Sequence, residues 1–270
     1  MAALEELHLS PPIAAALTRL GWSADDALTR EAAPTAARGH NLVLVLPPSP
    51  TAATPALAGM LSRLGDGRPG LVLAPAGQLD EWGRVVHQVS GDSGLRVQVA
   101  HGTSRATRRL RDGGVDLLIA TPETALALQR RSALRADVLA AVLLAWPEAW
   151  EEEESLAPLM QDLDKEAQRI VLTSAPEREA ALVERYARRA LTVGTAGADL
   201  ATAGPVRTVS VPWGRRIAAL SDLVELLDPT SLVVWTADRA GHDAIAAAVV
   251  AASSAPGRRS GRRGAAIRST

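Results

Sequence analysis

The segment Gly39-His-Asn-Leu-Val-Leu-Val-Leu-Pro-Pro-Ser-Pro-Thr-Ala-Ala-Thr54 is an apolar run feeding the start of a helical pattern. In that arrangement backbone amides can close around a phosphate, while a lysine and a Ser or Thr serve the terminal phosphate and magnesium. Lys165 is the only lysine of the chain, and it stands more than a hundred residues downstream in an Asp-Lys-Glu turn that reads as solvated. A second apolar run, Val142-Leu-Leu144, leads into Ala145-Trp-Pro-Glu148, which offers a single carboxylate for metal or water chemistry. Arg105, Arg108, Arg109 and Arg111 crowd one helical stretch, either a polyanion-binding face or a solvated one.

Other chemistries have less support. The chain has no Cys, which excludes disulfides and thiolate metal sites and fits a reducing compartment. Its five His form no pair at metal-ligand spacing and no G-x-S-x-G elbow is present, so no metal site is expected. Glu151 to Glu154 follow Trp150 where a helix should begin, and negative charge there favours helix capping over metal binding. The formal net charge is -1, with every basic residue but Lys165 an Arg or His. The amino terminus lacks a basic region followed by an apolar stretch, and no apolar run approaches the roughly 18 residues of a membrane span. The expectation is a soluble, cytoplasmic protein with no membrane contact.

The elements that must position these residues are legible as alternating patterns. Strands are expected over 42–46, 71–74, 95–100, 115–120, 141–145 and 169–173, mostly without period-two alternation, which marks strands buried on both faces. Helices are expected over 4–9 and 11–20 and then, between the strands, over 55–64, 78–89, 103–111, 122–131, 151–163 and 177–189. Strict alternation implies an α/β fold with a parallel sheet sandwiched by helices. A small-residue stretch at 195–205 reads as a linker. Beyond it a strand (206–211), a helix (215–227), a strand (231–235) and a helix (240–252) open a second α/β lobe that ends early. Residues 253–270, with Arg258, Arg259, Arg262, Arg263 and Arg268 among Gly and Ser, read as a disordered basic tail, a flexible RNA-binding arm or a solubilising one.

In order and spacing these segments resemble the DEAD-box RNA helicases, over about two thirds of the chain. The leader Leu4-Glu-Glu-Leu-His-Leu-Ser-Pro-Pro-Ile and Leu17-Thr-Arg-Leu-Gly-Trp22 is similar to the family's adenine side, with Thr29 where the adenine-reading Gln falls. Ser49-Pro-Thr-Ala-Ala53 stands at the family's G-x-G-K-T, which puts Ala52 at the lysine and Ala53 at the magnesium-binding hydroxyl; Ser49 and Thr51 belong to the same degenerate loop. Pro50 also removes an N–H donor. Ala145-Trp146-Pro147-Glu148 replaces D-E-A-D, so the two carboxylates that hold magnesium and position water are an alanine and a tryptophan. Ala76 and Gly77 replace the Thr and Arg of P-T-R-E-L, Gly102 matches the Gly-Gly turn, and Thr121-Pro122 matches the start of T-P-G-R. Ser174-Ala175-Pro176 resembles the coupling segment S-A-T.

The resemblance implies a RecA-like, P-loop NTPase-like fold: a helical leader (1–38), a first helicase lobe (39–194), a linker (195–205), a partial second lobe (206–252) and a tail (253–270). It implies a helicase-like protein without catalytic residues, binding RNA or a protein partner, an intact helicase subunit included, through Gly102, Arg105, Arg108, Thr121 and Pro122. No cofactor is expected, ATP and magnesium entering only if the family's activity survives. An ATP-binding helicase with divergent motifs and a structural adaptor without nucleic acid are the rival readings. Trp146 and Trp150 either form an exposed partner-binding patch or fill the emptied nucleotide pocket.

Overall fold

Apolar runs without alternation must be covered on both sides, and the structure, a computed structural model that describes residues 7–65, 67–150, 155–194, 211–227, 231–236 and 264–269, shows how. The chain divides into two units, residues 1–202 and 203–270. In the first unit seven strands are described: β1 (Leu42–Val45), β2 (Gly70–Leu73), β3 (Val97–Ala100), β4 (Leu117–Ala120), β5 (Ala141–Ala145), β6 (Gln168–Thr173) and β7 (Leu191–Val193). They pair in the order β3-β4-β2-β5-β6-β1-β7, every pair parallel, with Leu42 opposite Ile170 and Val72 opposite Leu143 setting the central register. β1, β2, β4 and β5 are buried throughout, which is why their sequences carry no polar face.

Alternate residues of each strand feed two cores. Leu42, Leu44, Val72, Leu143 and Ile170 pack with α1 (Pro11–Arg19), α2 (Ala27–Ala37), α3 (Thr54–Leu61) and α4 (Leu79–Ser90). Val43, Leu71, Leu73, Val142 and Leu144 face the other way, toward α5 (Thr103–Arg111), α6 (Pro122–Arg130) and α7 (Leu156–Gln161), with α8 (Ala180–Tyr186) packed at the margin. At the start of β4, Asp116 accepts from Nε and Nη2 of Arg96 at 2.9 and 2.7 Å, and this hydrogen bonding holds its carboxyl below the usual range against the opposing pull of burial.

Six strands lie within two residues of their expected bounds; α2 and β7 were not expected as elements. α2 carries Pro34 in its interior, ordinarily a cost of about 3 kcal/mol. Its small face offsets this: Ala32, Ala33 and Ala36 are fully buried, and a side chain at Gly59 of α3 would meet the Ala33 carbonyl and Ala36 Cβ, so the two helices touch at backbone distance. The expected helix 4–9 falls partly outside the described residues, and its described end holds a turn with His8 at φ 59°. Among the described residues no helix is long and apolar enough to cross a membrane.

The second unit holds α9 (Arg216–Leu227) and the strands β8 (Ser231–Thr236) and β9 (Gly264–Ser269), which pair in parallel from Ser231–Gly264 to Thr236–Ser269. Within the tail expected over 253–270 the described residues are those of β9, where Ala265, Ala266 and Ile267 break the Arg-Gly-Ser composition and supply a strand. The expected linker, the helix 240–252, residues 206–210 of the expected strand 206–211 and the arginines of 258–263 lie outside the described residues.

Candidate functional site

In a parallel sheet every strand ends on the same edge, so one rim collects the segments singled out by sequence. Following the strand order, Gly102 lies after β3, Thr121 after β4, Ala76 and Gly77 after β2, Ala145 to Trp150 after β5, Ser174 after β6 and Ser49 to Ala53 after β1.

The segment after β1 is a 3-10 turn, Pro50–Ala53, running into α3. Three of its amides are spent locally, Ser49 N donating to Pro47 O at 2.7 Å, Ala52 N to Ser49 O at 2.9 Å and Thr54 N to Thr51 O, while Pro47, Pro48 and Pro50 have no N–H. Ala53 is fully buried, Ala52 half-buried and Thr51 exposed. Sequence reasoning passed over Thr54, which brings a hydroxyl to the first turn of α3; it is 2% exposed and donates to Thr51 O at 2.7 Å. Thr29 is wholly enclosed, its amide and hydroxyl both donating to Asp26 Oδ2, the cap of α2, at 2.7 and 2.8 Å. The Asp-x-x-Thr spacing was the signal for that cap.

Where β5 ends, Trp146 takes a left-handed backbone (φ 48°, ψ 68°), its amide still bonded to Leu172 O, and turns its indole into the core. The side chain is fully buried, its Nε1 reaches Leu46 O at 3.4 Å, and its ring lies 5.9 Å from that of Trp82 on α4, tilted 41°. This excludes the exposed patch for Trp146. Trp150 is half-buried and donates from Nε1 to Ala145 O at 3.0 Å.

Glu148 is the one carboxylate of this segment with a defined task. Its Oε1 accepts from Thr173 Oγ1 at 3.1 Å, Ser174 N at 2.6 Å and Ser174 Oγ at 2.9 Å, and Thr173 Oγ1 accepts in turn from Ala175 N at 2.9 Å. The ends of β5 and β6 are thereby stapled by a charge-assisted cluster. Glu148→Ala is expected to lower the unfolding free energy by about 1–3 kcal/mol, because three donors lose their acceptor, whereas Glu148→Gln keeps an acceptor and costs less; denaturant midpoints check both.

On the other side of β5 the rim opens into a cleft of about 280 Å³ lined by Ala74, Pro75, Ala76, Gly77, Thr121, Pro122, Glu123, Ala149 and Trp150. Thr121 caps α6, its hydroxyl accepting from Thr124 N at 3.2 Å and donating to Thr124 Oγ1 at 3.1 Å, and Pro122 opens the helix. Gly102 caps α5, on which Arg105 and Arg108 are exposed and form no ion pair among the described residues. Arg109 and Arg111 are committed elsewhere, to Gln98 Oε1 and to Arg131 O.

No family model matches the sequence, and no curated protein does. Solved structures do match. A DEAD box protein from the hyperthermophile Methanococcus jannaschii superposes with a TM-score of 0.67 at 14% identity, over 92% of this chain and 69% of that one. A variant of S. cerevisiae Dbp5 bound to a Gle1 variant and IP6 gives 0.62 at 12% identity, over 93% and 66%. The Dbp5 variant bound to Nup159, a Gle1 variant, IP6 and ADP gives 0.60 at 12% identity, over 96% and 76%. What these likenesses establish is the fold: the chain is built on an α/β, RecA-like plan similar to that of DEAD-box helicases.

Proposed function

We propose that this chain is a helicase-like protein that binds single-stranded nucleic acid, RNA foremost, without hydrolysing ATP. The observation that carries the reading is the burial of Trp146: the position where the resemblance calls for a water-positioning carboxylate holds an indole packed into the core. Beside it Ala145 has no side-chain oxygen to offer magnesium, and the turn after β1 spends the Ser49, Ala52 and Thr54 amides on its own carbonyls. The Thr121-capped terminus of α6 and the unpaired Arg105 and Arg108 of α5 supply the phosphate-directed groups. The absence of cysteine accords with work in the cytoplasm.

A protein-binding role is the second reading, favoured by the cleft itself: Glu123 is its one charged lining residue, and Trp150, Pro75 and Pro122 give it apolar surface. Titrating labelled single-stranded RNA across a salt series separates the two. Wild type is expected to bind with a strong salt dependence, and Arg105→Gln with Arg108→Gln to lower the salt slope by about 1.4, the loss of two single-strand phosphate contacts. RNA that fails to bind at low salt would sink the nucleic-acid role and leave the protein-binding one.

A further inference from the structure

The opposite edge of the sheet, where β1, β6 and β7 begin, carries a second concavity of about 570 Å³. His40, Asn41, Lys165, Glu166, Arg188 and Arg189 line it. We infer that this concavity binds a compact, multiply charged phosphate compound, at a site separate from the rim described above.

Charge is the first argument. Lys165, Arg188 and Arg189 are all exposed, and none forms an ion pair among the described residues. Three cations face one carboxylate, Glu166, and the neighbouring Asp164 is turned to Arg68 at 3.6 Å. Three like charges with a single carboxylate among them repel one another, and an anion with several oxygens relieves that repulsion through charge-assisted hydrogen bonds.

The second argument is that the backbone beneath these cations is fixed. Asn41 bridges two elements, accepting at Oδ1 from Arg169 N at 2.8 Å and donating from Nδ2 to Arg188 O at 3.2 Å. Arg169 gathers the turn that carries Lys165, donating to Asp164 O at 2.8 Å, Lys165 O at 2.7 Å and Ala167 O. Arg188 and Arg189 form the tip of a turn closed by Ala190 N donating to Ala187 O at 3.0 Å. Arg189 sits at the turn's third position with φ 59°, where glycine is the favoured residue. An arginine held in that conformation stores strain, and strain of this kind concentrates where a side chain is needed. The volume lies in the range of small-ligand sites.

The test uses the full chain and inorganic pyrophosphate without magnesium, at ionic strength matched by potassium chloride, read by calorimetry and by thermal midpoint. Wild type is expected to bind saturably. Lys165→Gln with Arg188→Gln should weaken binding about tenfold or more, since two charged donors are lost from exposed positions. Arg105→Gln with Arg108→Gln, on the far rim, should leave it unchanged. Absence of saturable binding, or equal losses in the two double variants, overturns the inference. So does an RNA oligonucleotide that displaces pyrophosphate and loses affinity with the Lys165 and Arg188 changes, since the site would then belong to a nucleic-acid track. Both double variants alter exposed side chains, and unchanged melting in the absence of ligand confirms that each is folded.

Discussion

Trp146→Ala is expected to destabilise the first unit by about 3–5 kcal/mol, the range for emptying a buried aromatic site, and chemical denaturation followed by far-ultraviolet circular dichroism measures it. The expectation rests on full burial of the indole and on its contact with Trp82. Because Trp146 lies at φ 48°, alanine there inherits the left-handed backbone while losing the packing. Trp146→Gly loses the same packing without the conformational strain, so it should be less destabilising than alanine by roughly 1 kcal/mol. A double-mutant cycle with Trp82→Ala should return a coupling of about 0.5–1.5 kcal/mol for the ring pair. A loss below about 1 kcal/mol, the scale of an average substitution, would mean that the indole is not a packing element and would withdraw the main support for the proposal that the chain does not hydrolyse ATP.

The second large effect concerns nucleotide. With ATP and magnesium the wild-type chain is expected to release phosphate no faster than buffer, and calorimetry with ATP or ADP at millimolar concentration is expected to show no heat. Ala52→Lys with Ala53→Thr restores two side chains of the loop but neither the amides nor the carboxylates, so turnover should stay at background in that variant as well. Micromolar binding by wild type, about -8 kcal/mol, would return the protein to the ATPase class and show that the turn after β1 rearranges around phosphate.

Most strands were legible because burial on both faces writes an unbroken apolar run, and α3, α5 and α6 because Thr54-Pro55, Thr103 or Pro122 marks a helix start after such a run. α2 was not, since Pro34 and a buried face of Ala and Thr erase the amphipathic signal that a helix packed on another helix usually leaves. β7 is only Leu191–Val193, too short for any periodicity, and it is defined by pairing with β1 rather than by its own residues. At the rim, sequence order indicated which segments meet, because a parallel sheet delivers its strand ends together. It did not indicate that Glu148 would be bound by Ser174, 26 residues away, since that contact depends on β5 and β6 being neighbours. Nor did it settle the two tryptophans: Trp146 goes inward and Trp150 stays at the cleft because the backbone reverses hand between them.

The inward indole also bears on how such a chain can change over time. A carboxylate placed at position 146 by a single substitution would lie against Trp82 and Leu46 O rather than water. The burial of an uncompensated charge costs several kcal/mol, a large share of a domain's whole margin of about 5–15 kcal/mol. A lone carboxylate at position 146 would thus be selected against before it could contribute any activity, unless the core around Trp82 were first repacked to receive it.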